Sequence, residues 1–315
     1  MDAATAVRIA ATPQSVKWGF FDASTPAIAA VASGTEVLIE TVSGEPAQIP
    51  VDPIYEILPE HRPIHEGAER GPGPHFLTGP VYVEGAHPGD VLAVDILDVT
   101  LRQNWGFNLI IPLLGTLPED FPEFTMRHLP IDKNAGTVEL PWGGKLMLSP
   151  FFGVMGVAPP PNWGRITSII PRAHGGNMDN KELVAGTTVL YPVFNEGALF
   201  SVGDGHGVQG DGEVCITAVE TALSGRFRLS VRKDLHLTAP RAETPTHYIT
   251  MGFDEDLDDA VKQALRDMIS WIGDLRGLSK TDAYTLCSLA ADLHVTQTVN
   301  VAKGAHCLLP KVVLK

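Results

Sequence analysis

The sequence predicts a mainly β protein whose helix is gathered near the C-terminus. Three observations carry this reading. The 315 residues include 31 glycines and 25 prolines, spread along the whole chain; helices tolerate such punctuation badly, whereas short strands joined by turns require it. Between these breaks, apolar runs of β-type composition recur. Helical periodicity with an acidic first turn appears only after Asp254.

In chain order, the predicted strands are Val37–Val42, Val81–Glu84, Val91–Val99, Thr187–Phe194, Val214–Val219 and Phe227–Val231. The stretch 105–170 is dense in glycine, proline and aromatics, as in Pro141-Trp142-Gly143-Gly144 and Pro159-Pro160-Pro161-Asn162-Trp163-Gly164. It is too long for one loop in a compact domain, so short strands and ordered loops forming a second β subdomain are expected there. From Asp254 to Ile272 the residues Leu257, Val261, Leu265, Met268, Ile269 and Ile272 follow helical spacing, and the acids crowding the first turns suit the helix dipole. A second helix starts after Ser279, whose hydroxyl caps it with Asp282 three residues on, and runs to Ala290. The segment His294–Val299 then reads as extended. One unit over 1–315 is expected, subdivided near 1–104, 105–170, 171–240 and 241–315.

Composition excludes several functions. Lys+Arg 23 against Asp+Glu 37 gives a net charge of −14, a field that repels phosphate backbones and anionic lipid, so no nucleic-acid or membrane partner is expected. The chain has no apolar run of about 18 residues and no basic-then-apolar leader in its first 25 residues, which predicts a cytoplasmic protein. Cys215, Cys287 and Cys307 are odd in number and widely spaced, a pattern of reduced thiols rather than of disulfides or a cysteine zinc site. Ample apolar surface favours a homo-oligomer.

Two segments concentrate polar ligands. In Pro171-Arg172-Ala173-His174-Gly175-Gly176-Asn177-Met178-Asp179-Asn180, two glycines let the backbone turn and bring His174 and Asp179 toward one point. In Gly203-Asp204-Gly205-His206-Gly207-Val208-Gln209-Gly210-Asp211-Gly212-Glu213, extended backbone places Asp204 with His206 on one face, and Gln209 with Asp211 and Glu213. Imidazole with carboxylate is the ligand set of zinc and related divalent ions. A single such residue also serves as a turn cap, and spacing alone leaves both readings open. His75 is a third histidine without a partner in sequence. Cys215 shares the parity of Asp211 and Glu213; it is a thiol nucleophile in one reading and a small core residue among Val214, Ile216 and Ala218 in the other. No nucleophile elbow, phosphate loop or dinucleotide fingerprint occurs.

Taken together, His174-Gly175-Gly176-Asn177-Met178-Asp179-Asn180, Gly203-Asp204-Gly205-His206, and Gln209-Gly210-Asp211-Gly212-Glu213 resemble the acetamidase/formamidase family, its acetamidase-like branch in particular. The resemblance extends through Trp18-Gly19-Phe20-Phe21-Asp22, Leu77-Thr78-Gly79-Pro80 and Ser288-Leu289-Ala290-Ala291-Asp292-Leu293, and so over nearly the whole chain; Gly207-Val208 departs from the Ala-Ala of many members. It implies a mainly β fold with jelly-roll or sandwich and barrel-like parts, and hydrolysis of short linear amides to carboxylate and ammonia. Joined to the residue chemistry, it assigns His174, Asp204 and His206 to a divalent metal, zinc first, with Asp179 a further ligand or an orienter. Glu213 takes the proton-transfer role, with Asp211 beside it in the catalytic set, and Asn177 and Gln209 donate to the developing oxyanion. Two alternatives remain: a metal-free amidase with Cys215 as nucleophile, and a non-catalytic protein in which Asp204, Asp211 and Glu213 hold a structural calcium.

Overall fold

The computed structural model describes residues 6–315. Two sheets face each other. The larger runs in the order Val7–Ile9, Thr35–Glu40, Leu223–Arg232, Val91–Leu101, Thr188–Pro192, Arg241–Glu243, His247–Asp254, Lys303–Pro310, Asp292–Gln297. The second runs Gly175–Asn177, Phe151–Gly156, Phe200–His206, Phe76–Val83, Val16–Trp18, Glu69–Arg70, with Ala29–Val31 also pairing Phe76–Val83. Ile39, Val94, Ile96, Phe227 and Leu229 from the first sheet pack with Val81, Phe152, Met155, Phe200 and Val202 from the second in one buried cluster. This is the core of a sandwich, and the alternation along Leu223–Arg232, buried at every second position over most of its length, shows how a period of two builds it. The mainly β expectation holds.

The glycine- and proline-rich stretch divides. Its first part is a four-stranded antiparallel ribbon, Trp105–Ile110, Thr125–Asp132, Thr137–Glu139 and Lys145–Met147. Its later part contributes Phe151–Gly156 to the second sheet, where all six residues are buried.

Helix is not confined to the C-terminus as expected. A seven-residue helix, α1 (His61–Gly67), packs Ile64 against Val16 and Trp18. It was illegible because it is shorter than two turns, and Pro63, tolerated in a first turn, reads as a breaker. The long helix α2 (Leu257–Arg276) is capped by Asp256, which accepts from the Asp258 amide, and ends at Gly277 with φ 66°, left-handed backbone that glycine adopts freely. Helix α3 (Lys280–Ala290) is capped by Ser279 through the Asp282 amide, as the sequence predicts. Ala264, Met268 and Ile272 of α2 and Ala283 and Cys287 of α3 cover Cys307 and Leu309 of the larger sheet. No helix among the described residues is long and apolar enough to cross a membrane.

The predicted strand Val214–Val219 is a chain of turns instead. Glu213 and Ile216 have φ 43° and 87°, outside extended backbone, and a β-branched residue tolerates such values only under tertiary constraint. Gln209, Asp211, Glu213 and Cys215 therefore do not share one face, unlike the alternation that extended backbone predicts.

Candidate functional site

The site forms where Phe151–Gly156 and Phe200–His206 pair. Phe152 faces Gly205 and Val154 faces Gly203, so Gly153 lies opposite Asp204. A methyl group on Gly153 would sit 2.4 Å from Asp204 Oδ2, 2.5 Å from Asp179 Oδ1 and 2.7 Å from His206 Cε1. Gly153 is thus the floor of a polar chamber in a strand that is otherwise apolar. Asp179 arrives from the turn after Gly175–Asn177, its amide donating to the Gly153 carbonyl at 3.2 Å. Asp179, Asp204 and Glu213 all hold positive φ, at 47°, 57° and 43°. Three acids in sparsely populated backbone aimed at one point mark a strained, built site.

His206 stands at the centre. Its Nε2 lies 3.2 Å from Asp204 Oδ2, 3.3 Å from Glu220 Oε1 and 3.9 Å from Glu213 Oε1. Its Nδ1 is 2.9 Å from Gln209 Oε1, while Gln209 Nε2 donates to the Asp179 carbonyl at 2.7 Å. That second bond orients the amide, so Oε1 accepts from Nδ1–H and Nε2 faces the carboxylates. Asn300 donates to Asp179 Oδ2. His75 closes one side, with Nε2 3.9 Å from Asp204 Oδ2 and Nδ1 2.7 Å from Ser168 Oγ.

Four carboxylates and one imidazole are buried here together. Burial pushes Asp179 and Glu220 up to about 7 against the pull of His206, and raises Glu213 well above the ordinary range, with Asp179 adding to it. Burial also pushes Asp204 up, but His206 and His75 outweigh it and hold the carboxyl low. His206 is held high by Glu220 and Asp204 despite its burial. The excess of negative charge calls for protons or a cation.

The residues fit a divalent cation. Asp179, Asp204 and His206 present ligand atoms within 4.8 Å of one another, as do His206, Glu213 and Glu220. Asp179 Oδ1 and Glu213 Oε2 are buried without any hydrogen-bond partner, the signature of atoms awaiting a ligand. Mixed imidazole and carboxylate suits zinc.

Of the residues singled out in the sequence, Asp179, Asp204, His206, Gln209 and Glu213 converge. His174 does not join them. It is buried against Phe21 and Trp163, edge-on to both rings, with neither ring nitrogen hydrogen-bonded. The two glycines that follow it, with φ 91° and 86°, turn the chain so that Asp179 points inward and His174 away. Asp211 is also elsewhere: the turn Gly210-Asp211-Gly212 swings it out to Lys181 at 2.9 Å and His294 at 3.1 Å. Gln209 spends both ends of its amide within the protein, so it orients His206 rather than donating to an oxyanion. The Asn177 amide donates to the Ile169 carbonyl at 3.2 Å. Cys215 Sγ meets Asn108 and the Thr217 carbonyl, with no bond to Glu213. Three members were missed: Asn300, which bonds Asp179 from far along the chain, and two others. Glu220, a lone acid closing an apolar run, and Gly153, a glycine inside a buried strand, were the available signals.

His174 makes stability pH-dependent. Burial takes its pKa from 6.5 down to about 3, so the folded state holds it neutral while the unfolded chain takes up a proton. The contribution is complete above pH 6.5 and is lost toward pH 3, at about 1.4 kcal/mol per pH unit. Between pH 7 and 5 the wild type is expected to lose about 2 kcal/mol more than His174→Leu in urea unfolding; equal losses would contradict the assignment.

The fold is a β-sandwich with a cluster of carboxylates and one imidazole gathered where two of its strands pair. The Acetamidase/Formamidase family model matches residues 22–167 and 162–314, and the chain belongs to that family. It is 32% identical over 255 residues to a formamidase of Methylophilus methylotrophus, covering 62% of this chain and 63% of that one. It is 29% identical over 235 residues to an acetamidase of Mycolicibacterium smegmatis, covering 56% of each. The chain thus spans less than two thirds of these curated relatives. The crystal structure of an acetamidase from Bacillus halodurans superposes with a TM-score of 0.85 at 34% identity, covering 98% of both chains.

Proposed function

We propose that this protein hydrolyses short linear amides, of the acetamide and formamide type, to carboxylate and ammonia. The observation that carries the reading is the buried convergence of Asp179, Asp204 and His206 on the space before Gly153; the names of the relatives supply the substrate class. These three residues would hold a divalent cation, zinc first. Such a cation polarises a carbonyl and lowers the pKa of water toward 7. Glu213, buried with one unpartnered oxygen, would be held ionised by the charge of such a cation against its burial, and would then take the proton from the attacking water and return it to the departing nitrogen. Glu220 Oε1 lies 3.3 Å from the same Nε2 of His206 and is a further carboxylate of the cluster. Burial excludes bulk water, which strengthens each of these interactions.

The reading includes a homo-oligomeric, cytoplasmic protein. Exposed Leu113, Phe121, Phe124, Trp142 and Met147 support the first of these, and the particle mass in solution checks it.

The test is ammonia release from acetamide and formamide by protein as isolated, after exhaustive chelation, and after zinc is restored. Activity should vanish on chelation and return with metal. Turnover indifferent to chelation would overturn the metal role and return attention to Cys215; no ammonia under any condition would overturn the substrate class.

A further inference from the structure

We propose that Asp211, His294 and His306 form a second divalent-metal site, separate from the hydrolytic centre, which ties the loop carrying Gln209 and Glu213 to the C-terminal strands. His294 and His306 lie directly opposite each other on adjacent antiparallel strands. Their rings stack at 5.0 Å with planes 12° apart. Asp211 reaches the same point from the loop, and the three residues offer ligand atoms within 4.8 Å of one another.

Two orphaned atoms point to a ligand. The Thr296 hydroxyl engages His306 Nδ1 at 2.6 Å, which leaves Nε2 buried with no partner on a residue that is 0% exposed. Asp211 Oδ1 is likewise buried and unpartnered, while Lys181 and His294 occupy Oδ2. A cross-strand imidazole pair and one carboxylate oxygen are the donor set of a borderline transition ion such as zinc, cobalt or nickel, and unlike that of calcium. Unpaired buried polar atoms are costly, and a cation bound by all three residues removes that cost. Lys181 opposes the ion; it neutralises Asp211 in the metal-free protein and sets a threshold for binding.

The site has a structural target. Gly212 donates to the Thr296 carbonyl and accepts from the Thr298 amide, both at 3.0 Å, so the loop is already stitched to this edge one residue from Asp211. Metal at Asp211 would clamp the loop between Gln209, which orients His206, and Glu213.

The experiment titrates cobalt(II) or zinc(II) into the full chain after chelation, reading bound metal after desalting and the visible absorption of cobalt. Wild type should bind two equivalents. His294→Ala, at a partly exposed position that the fold can spare, should lose one of them, with affinity for that equivalent weakened at least tenfold; His306→Gln should do the same. Asp204→Asn should lose the other equivalent and keep this one, so failure of the hydrolytic-centre reading leaves one ion that His294→Ala still removes. Lys181→Met should tighten the second equivalent at least threefold. Metal stoichiometry and affinity unchanged in His294→Ala would overturn the proposal.

Discussion

Asp204→Asn is expected to abolish amide hydrolysis and to strip the hydrolytic centre of its metal. Asp204 is the one carboxylate of the cluster held firmly ionised, by His206 and His75 against its burial, and its Oδ2 lies 3.2 Å from His206 Nε2. An asparagine keeps the volume and removes the charge. Metal-ion catalysis supplies several kcal/mol of transition-state stabilisation, so the loss in kcat/KM should reach roughly a thousandfold. The contrast is Glu213→Gln. If Glu213 moves the proton, this variant keeps its metal and loses about a hundredfold or more in kcat. Ammonia release with metal analysis on the two variants separates the roles. Full turnover in Asp204→Asn would remove the basis of the proposed chemistry, and full turnover in Glu213→Gln would move the proton-transfer role to another carboxylate.

Gly153→Ala should silence the protein without unfolding it. The added methyl meets Asp204 Oδ2 at 2.4 Å, Asp179 Oδ1 at 2.5 Å and His206 Cε1 at 2.7 Å, filling the space that a cation and the reacting oxygen need. Gly153 has no positive φ, so the strand itself accepts alanine. Overpacking of this kind costs about 1 to 3 kcal/mol, which a measured unfolding curve will show as a modest drop in Tm. Bound metal and ammonia release should both fall below a hundredth of wild type. Gly210→Ala, where an added methyl meets nothing within 4 Å, is the control in the same site region and should retain both. Wild-type metal content in Gly153→Ala would show that the chamber before Gly153 is not where the ion binds.

These outcomes also measure how far sequence reasoning reached. Asp204 and His206 were legible as polar residues two apart in a strand and they do lie together, although Asp204, at φ 57°, departs from the extended backbone that a period of two assumes. Asp179 was legible as a carboxylate after a double-glycine turn. The same logic failed for Asp211 and Cys215, because residues 210 to 219 leave the extended region at Glu213 and Ile216; parity has no meaning once the backbone turns. His174 failed for a related reason. The turn that delivers Asp179 to the chamber sends the neighbouring imidazole into an aromatic pocket beside Phe21 and Trp163. Glu220 was illegible because nothing local distinguishes an acid that ends an apolar run from one that faces water. It joins the site through the backbone bridge that pairs it with His206 and the contact of its Oε1 with that ring.

By itself, then, the sequence determined what depends on local backbone chemistry. Its glycines and prolines required strands and turns. The capping residues Asp256 and Ser279 set where the two C-terminal helices begin, and two glycine-rich segments carried the polar groups. The tertiary structure alone decided which of those groups meet. Convergence of Asp179, Asp204, His206, Glu213 and Glu220 is a contact between segments up to about 40 residues apart, closed over a glycine from a third strand. Separation of Asp211 toward His294 and His306 rests on sheet register at the other end of the chain. Such contacts are set by packing and loop closure, which no short window of sequence encodes.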